Sequence, residues 1–90
     1  MYAVYAIASM NYKYVYVGLT SNLEQRLLRH NRGFEKTTKP YAPYLLIYSE
    51  NVSDRPAARI KEKFLKGRSG KRFLYKIIRN DFPQLIHYQE

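Results

Sequence analysis

Five polar side chains draw attention because a small hydrophobic core does not need them. They are Tyr5, Tyr16, Arg26, His30 and Glu62. A guanidinium can clamp a phosphate, a carboxylate offers the oxygen ligand that Mg²⁺ or Mn²⁺ prefers, and a phenol or an imidazole can transfer a proton. Each also has a structural explanation, such as sheet packing for the tyrosines or an i,i+4 ion pair with Lys66 for Glu62. Their interest depends on whether the fold brings them together.

The elements that must position these side chains follow from the hydrophobic pattern. Residues 2–8, 14–17 and 44–49 are apolar or aromatic and are predicted to be strands. The first two strands lie so close in sequence that they should form an antiparallel hairpin. The third strand is a nearly continuous apolar run, so we expect it at the centre of the sheet.

The first helix is predicted between Ser21 and residue 31. Ser21 and Glu24 have the spacing of a capping box, with Ser21 as the N-cap. We expect leucines 23, 27 and 28 to face the core, and Gly33 to end the helix. Arg26 and His30 are four residues apart and should share another face. Residues 33–43 then form a long loop, which is a candidate contact region.

Two further helices complete the chain. Ser53 or Asp54 should cap the second, and Ala57, Ile60 and Phe64 should form its buried stripe, with Glu62 to one side. Residues 69–80 form the third helix by the spacing of their apolar side chains. The predicted class is therefore α+β, a small three-stranded antiparallel sheet flanked by helices in the order ββαβαα. We predict a domain over residues 1–80 and a C-terminal tail over residues 81–90.

Composition limits the partners. The chain has 90 residues, no cysteine and a net charge of +9, so disulfides and thiolate metal sites are excluded. Nine Lys or Arg and one Glu lie within residues 59–79, and a cluster of this kind attracts polyanions, most often nucleic acid. The longest apolar stretches are too short for a membrane span, and we expect a cytoplasmic protein. The predicted nucleic-acid contacts are Arg29, Lys36, Lys39, Lys66, Arg68, Lys71 and Arg72.

Short motifs around the five side chains resemble those of a known family. Ala3-Val4-Tyr5 and Tyr16-Val17-Gly18 are similar to the two signature tripeptides of the GIY-YIG nuclease superfamily, although Ala3 stands where the family has glycine. Arg26, eight residues past Gly18, and Glu62 within residues 60–66 also resemble the family pattern. The resemblance covers about residues 1–79 and is greatest to small stand-alone members, similar to the nuclease domain of the repair excinuclease without its other domains.

The resemblance implies an endonuclease that hydrolyses DNA with one divalent metal, Mg²⁺ or Mn²⁺. Glu62 would hold the metal, Arg26 would bind the scissile phosphate, and His30 would assist at the water or the phosphate. Tyr5, or else Tyr16, would act on the attacking water. We expect selection by DNA structure rather than sequence, in repair or processing.

Two other functions fit the same residues. One is a non-catalytic nucleic-acid binding module that keeps the fold and the basic surface. The other is a protein that docks on a partner protein through its apolar residues 82–88. The small size also favours a protein partner or a homodimer, because 90 residues leave little surface for substrate choice.

Overall fold

The computed structural model describes residues 1–89 and confirms the predicted α+β class and the order ββαβαα. The strands are β1 (Tyr2–Ser9), β2 (Val15–Thr20) and β3 (Tyr44–Val52). The helices are α1 (Leu23–Asn31), α2 (Arg55–Lys66) and α3 (Arg68–Asp81). Short 3₁₀ turns lie at Lys39–Tyr41 and Ile86–Tyr88. Within residues 1–89 no helix combines the length and the apolar composition that crossing a membrane requires.

The three strands are antiparallel and lie in the order β2-β1-β3. The prediction that the third strand is central was wrong, because β1 occupies the centre and β3 is an edge. The burial explains this: every residue from Ala3 to Ser9 is buried, whereas Ser49 and Asn51 of β3 are exposed. An apolar run alone did not distinguish the two strands.

The sheet has two differently packed faces. One, the aliphatic face, is built on Val4, Ala6 and Ala8 of β1 and is covered by α2, α3 and the C-terminal 3₁₀ turn. The other, the tyrosine face, is built on Tyr5 and Ile7 of β1, with α1 and the segment that follows it packed above. The remaining members of the tyrosine face are Tyr14, Tyr16, Leu23, Leu27, Tyr41, Ala42 and Tyr44.

The start of α1 differs from the prediction by one residue. Asn22 is the N-cap, since its extended backbone lets its side-chain oxygen accept a hydrogen bond from the Gln25 N–H at 3.1 Å. Ser21, predicted as the cap, precedes it. Leu28 is 49% exposed rather than buried. Gly33 follows the helix with φ of 77°, the left-handed conformation that glycine adopts without strain.

The predicted buried stripe of α2 was also wrong. Ile60 and Phe64 are 73% and 53% exposed, and the buried side chains are Ala58, Glu62 and Leu65. The reason is the contact between α2 and α3, where Gly70 lies directly against the Leu65 backbone and leaves no room for a Cβ. This close approach turns the Leu65 side of α2 inward.

The other helix boundaries lie near their predicted positions. Asp54 caps α2 by accepting from the Ala57 N–H at 2.9 Å, as one of the two predicted caps. The third helix begins at Arg68, one residue before the predicted Ser69.

Residues 81–90 were predicted as a tail, and part of that segment packs in the core. Leu85 and Tyr88 are each 1% exposed on the aliphatic face. The Tyr88 hydroxyl accepts a hydrogen bond from the Tyr14 N–H at 3.0 Å, which ties the segment to the start of β2. The two side chains therefore belong to the protein's own core, which weakens the docking hypothesis for residues 82–88. Residue 90 lies outside the described residues.

Candidate active site

A cleft of about 330 Å³ opens at the free edge of β2. Because β2 has no neighbouring strand on that side, α1 on the tyrosine face and α2 on the aliphatic face can both reach around the edge. The lining residues come from β2, the turn after it and these two helices: Tyr16, Gly18, Leu19, Thr20, Ser21, Arg26, Arg55, Arg59 and Glu62. The cleft is therefore the place where the two layers of the fold meet.

Three of the five predicted site residues line this cleft. Tyr16, Arg26 and Glu62 come from β2, α1 and α2 respectively, so residues 46 positions apart in sequence share one wall. Tyr5 and His30 do not line it. They are 0% and 1% exposed and lie behind the β2 wall, on the tyrosine face.

Gly18 separates the buried tyrosine from the cleft. Gly18 is paired with Tyr5 across the sheet, and a Cβ placed on it would lie only 2.7 Å from the Tyr5 hydroxyl oxygen. A side chain here would collide with the phenol. The absence of a side chain therefore lets the Tyr5 hydroxyl lie immediately behind the cleft wall.

A chain of buried polar groups extends from Tyr5. Its hydroxyl lies 2.7 Å from Nε2 of His30, and Nδ1 of His30 lies 2.7 Å from Oγ1 of Thr38. Burial raises the pKa of Tyr5 well above its usual value of 10. Burial also lowers the pKa of His30, and the nearby charge of Arg26 lowers it further. Both rings are therefore held in their neutral forms near neutral pH.

Arg26 is oriented by an acidic residue in the loop after α1. Its Nε lies 3.4 Å from Oε2 of Glu35, which also accepts a hydrogen bond from Nε of Arg29 at 2.8 Å. This hydrogen bond from Arg29 holds the pKa of Glu35 below its usual range. The Arg26 Nε is buried without a hydrogen-bond partner among residues 1–89. Arg26 thus brings a positive charge to the cleft. The ion pair with Glu35 orients its side chain without a close hydrogen bond to Nε.

Glu62 is the acidic residue of the cleft wall. It is only 7% exposed, and two cations of its own helix flank its carboxylate. Lys66 Nζ lies 3.2 Å from Oε2, and Arg59 Nη1 lies 3.6 Å from Oε1. With Arg26 and Arg55 also present, the cleft is lined by more positive than negative charge, which favours an anion such as a phosphate.

The donor set of the cleft fits a weakly held hard cation. Residues 1–89 contain no group of three or more His, Cys, Asp or Glu side chains that could hold a metal. Glu62 alone would supply a carboxylate oxygen. Mg²⁺ keeps several water ligands and is commonly bound by one or two carboxylates together with substrate phosphates. A single carboxylate beside an arginine, a side chain able to bind a phosphate, is compatible with that mode.

The predicted nucleic-acid contacts lie outside the cleft wall. Lys66 pairs with Glu62 and Arg29 pairs with Glu35. The other five are exposed and form no ion pair within the described residues: Lys36, Lys39, Arg68, Lys71 and Arg72. They remain predicted contacts on the surface of the loop after α1 and of the first turns of α3.

Several residues at the site were missed by the sequence reasoning. Arg55 and Arg59 line the cleft, and their spacing to Glu62 of seven and three residues could have placed them on its helix face. Thr38 and Glu35 lie in the loop after α1, and no periodic pattern indicated their contacts with His30 and Arg26. Loop residues of this kind are found only once the fold is known.

The comparison with known proteins agrees with this geometry. Residues 1–76 match the GIY-YIG catalytic domain family. A UPF0213 protein of Clostridium perfringens (strain 13 / Type A) is 34% identical, over 86% of this chain and 83% of that protein. No solved structure matches the chain. The family match spans most of the chain and includes the strands and helices that carry Tyr16, Arg26 and Glu62. The chain therefore belongs to the GIY-YIG family, whose catalytic domain points to a nuclease that acts on DNA and typically uses a divalent metal ion.

Proposed function

We propose that the protein is a metal-dependent endonuclease that hydrolyses phosphodiester bonds of DNA in the cleft at the edge of β2. The observation that carries the proposal is the convergence of Tyr16, Arg26 and Glu62, from three separate elements, on one electropositive cleft. A surface glutamate or arginine retained only for solubility would have no reason to meet the others.

Each cleft residue has a role in this proposal. Arg26 binds the scissile phosphate and offsets the charge that builds on it in the transition state. Glu62 holds Mg²⁺ or Mn²⁺, which when bound supplies Lewis-acid stabilisation of the leaving oxygen. Tyr16 orients the attacking water, because it is the tyrosine that lines the cleft, and it takes the water's proton as its own hydroxyl proton passes to the solvent of the open cleft. Tyr5 and His30 act from behind the wall, through their contacts with Gly18 and with the Tyr16 ring.

We propose that the substrate is chosen by its structure rather than its base sequence. The exposed cations of the loop after α1 and of α3 would contact backbone phosphates, which position DNA but carry no sequence information. We propose a role in DNA repair or processing, to which such selectivity is suited, and a location in the cytoplasm. A protein partner or a second copy would add specificity that a chain of 90 residues has little surface to provide.

One observation favours the alternative of a non-catalytic nucleic-acid binding module. Glu62 is flanked by Lys66 and Arg59, so its carboxylate has partners without a metal. In that case the cleft would bind phosphate and leave it intact.

A cleavage assay separates the two functions. The protein is incubated with flap, branched, nicked and supercoiled DNA in Mg²⁺, in Mn²⁺ and in EDTA. Glu62→Gln should lose at least about 100-fold in rate, because it removes the charged ligand. Glu24→Gln is the matched control, since Glu24 is exposed on α1 and should leave the rate unchanged. Equal cleavage rates for wild type and Glu62→Gln would show that the observed cleavage is not catalysed at the proposed site.

Binding is measured on the same variants. If Glu62→Gln binds DNA as wild type does and neither protein cuts any substrate, the binding module is the better description. A steep decrease of affinity with salt is expected in both cases, because phosphate contacts release counterions.

A further inference from the structure

We propose that Thr38 is a positioning residue that fixes the ring tautomer of His30, and thereby the direction in which the Tyr5 hydroxyl donates its proton. The effect of this arrangement on cleavage rests on the proposed nuclease function. The tautomer itself does not, and it can be measured on the protein alone.

The protons of these buried groups have few possible hydrogen-bond acceptors. The Tyr5 hydroxyl and the His30 ring are buried, and Thr38 is 0% exposed, so bulk water is not available as a partner. Tyr5 and His30 lie 2.7 Å apart at Nε2, and His30 and Thr38 lie 2.7 Å apart at Nδ1. The Thr38 hydroxyl also lies 3.4 Å from the carbonyl oxygen of Glu35.

Only one arrangement gives every proton in this chain an acceptor. If Nδ1 of His30 carries the ring proton, it donates to Thr38 Oγ1, and the Thr38 hydroxyl donates to the Glu35 carbonyl. Nε2 is then a bare acceptor, and the Tyr5 hydroxyl donates to it. Each of the three protons is satisfied, as buried polar groups require.

The other tautomer leaves one buried proton without an acceptor. With the proton on Nε2, the ring would donate to the Tyr5 oxygen and Thr38 would donate to Nδ1. The Tyr5 hydroxyl proton would then need a further acceptor, and His30 is its one hydrogen-bond partner within residues 1–89. An unsatisfied buried donor typically costs about 1–3 kcal/mol. The imidazolium form has the same defect, and burial and the Arg26 charge oppose it.

Thr38 is held firmly enough to impose this choice. Its backbone carbonyl accepts a hydrogen bond from the Tyr44 hydroxyl at 2.6 Å, and its N–H donates to the Glu35 carbonyl at 3.1 Å. Tyr44 is fixed in turn, because its own N–H donates to the Asn31 side-chain oxygen at 2.7 Å. The loop after α1 is thereby pinned to the start of β3, with the Thr38 hydroxyl directed at the imidazole.

The tautomer determines what Tyr5 presents to the cleft wall. When the Tyr5 proton points to His30, the phenol oxygen directs its lone pairs toward Gly18 and the cleft. The neighbouring ring of Tyr16, with its centroid 6.3 Å from that of Tyr5, then lies beside an acceptor rather than a donor. No hydrogen-bond donor of Tyr5 then competes for the Tyr16 oxygen, which stays available for the proton of the attacking water in the role proposed for it.

The first test measures the tautomer by long-range ¹H–¹⁵N correlation at about pH 8. The chain has two histidines, so the exposed His87→Gln removes one set of signals and assigns His30 without touching the site. We expect a neutral His30 ring protonated at Nδ1. A ring protonated at Nε2 in this protein would overturn the proposal. This measurement needs no variant of Thr38 and no DNA.

The second test removes and restores the hydroxyl. Thr38→Val keeps the shape of the side chain and deletes the acceptor, so each tautomer then leaves one buried donor unsatisfied and the preference for Nδ1 should be lost. Thr38→Ser should retain the Nδ1 proton, and the exposed neighbour Thr37→Val is the control. A folded Thr38→Val protein whose ring is still protonated entirely at Nδ1 would contradict the proposal.

The third test concerns catalysis. Thr38→Val should lower kcat for DNA cleavage about tenfold with little change in KM, and Thr38→Ser should restore it to within about twofold. If the tautomer changes but kcat does not, Thr38 does not position a catalytic group. If wild type cuts no DNA, the nuclease proposal fails while the tautomer measurements still decide the role of Thr38 in the buried chain.

Discussion

The two faces of the central strand are packed with different chemistry. Val4, Ala6 and Ala8 point to the aliphatic face, where the buried partners include Leu65, Leu74 and Ile78. Tyr5 and Ile7 point to the tyrosine face, where the partners include Tyr14, Tyr16, Tyr41 and Tyr44. Buried apolar carbon stabilises without regard to direction, whereas buried hydroxyls stabilise only in the geometry that satisfies them.

This difference separates stability from orientation within one small sheet. The aliphatic face can supply most of the free energy of folding, because its contacts need only close packing. On the tyrosine face, part of the buried volume is occupied by a chain of oriented polar groups instead of apolar side chains. These groups are Tyr5, His30 and Thr38. Since β1 contributes alternate residues to both faces, the packing of one face fixes the strand that carries the groups of the other.

The strongest test of this comparison is Tyr16→Phe. The Tyr16 hydroxyl has no hydrogen-bond partner among the described residues, so its removal should change the free energy of unfolding by less than about 1 kcal/mol. If Tyr16 transfers the proton of the attacking water, cleavage should slow by about 10²–10⁴-fold. Cleavage kinetics and urea unfolding measure the two effects. Tyr12→Phe, at an exposed tyrosine of the hairpin turn, is the control and should change neither.

The reverse pattern is expected for Leu74→Ala on the aliphatic face. Leu74 is fully buried on α3, and truncating a buried leucine typically costs about 2–5 kcal/mol through lost burial and a residual cavity. The cleavage rate of the folded protein should stay within about twofold of wild type at low temperature. Urea unfolding gives the stability, and a loss below about 1 kcal/mol would mean that the aliphatic face is not the main source of folding free energy.

Gly18→Ala tests the boundary between the faces and the cleft. The new methyl group would lie 2.7 Å from the Tyr5 hydroxyl and 3.0 Å from the Tyr16 ring, so one of the two rings must move. Overpacking of this kind costs about 1–3 kcal/mol. Because the Tyr5 hydroxyl is anchored to His30, we expect the displacement to reduce cleavage as well.

Gly67→Ala is the matched control for that variant. Gly67 has extended backbone, and its added methyl group would meet the nearest atom, the Phe64 carbonyl oxygen, at 3.4 Å. It should change the unfolding free energy by much less than Gly18→Ala does. Similar losses from both variants would indicate a general cost of replacing glycine rather than a collision with Tyr5.

The sequence predicted the order of elements and the family because both depend on local patterns. Alternating apolar residues, caps such as Asp54 and the glycine after α1 determine the elements over a few residues. The tripeptides around Tyr5 and Tyr16, with Arg26 and Glu62 at their spacings, indicated the family that residues 1–76 match. These signals do not require knowledge of which surfaces meet.

The features that could not be predicted depend on contacts between distant segments. The inward side of α2 is set by Gly70 of α3, and hydrophobicity alone favoured Ile60 and Phe64, which are exposed. β3 lies at an edge because both layers of the fold pack on β1, which is the central strand. The contact of Thr38 with His30 arises from a loop without periodicity. Each of these needs the tertiary fold.

The smallest expected effect is the pH dependence that the tyrosine face adds through His30. Burial lowers the pKa of His30 from its usual 6.5, with Arg26 and Arg29 acting in the same direction and Glu35 opposing them. The unfolded chain therefore binds a proton before the folded one does as the pH falls. The stability contributed by the neutral ring is present above about pH 6.5 and is lost as the pH decreases toward the folded-state pKa.

For one proton the slope is at most about 1.4 kcal/mol per pH unit. Urea unfolding at about pH 8, 7, 6 and 5 measures it. His30→Gln should flatten the dependence between about pH 7 and pH 5, while Leu74→Ala should lower the stability at every pH and leave the slope unchanged. The two faces would then differ in kind, since the acid sensitivity in this range would come from the tyrosine face. If His30→Gln retains the wild-type slope, the buried ring does not titrate with folding, and the contrast between the faces must rest on the hydroxyl groups alone.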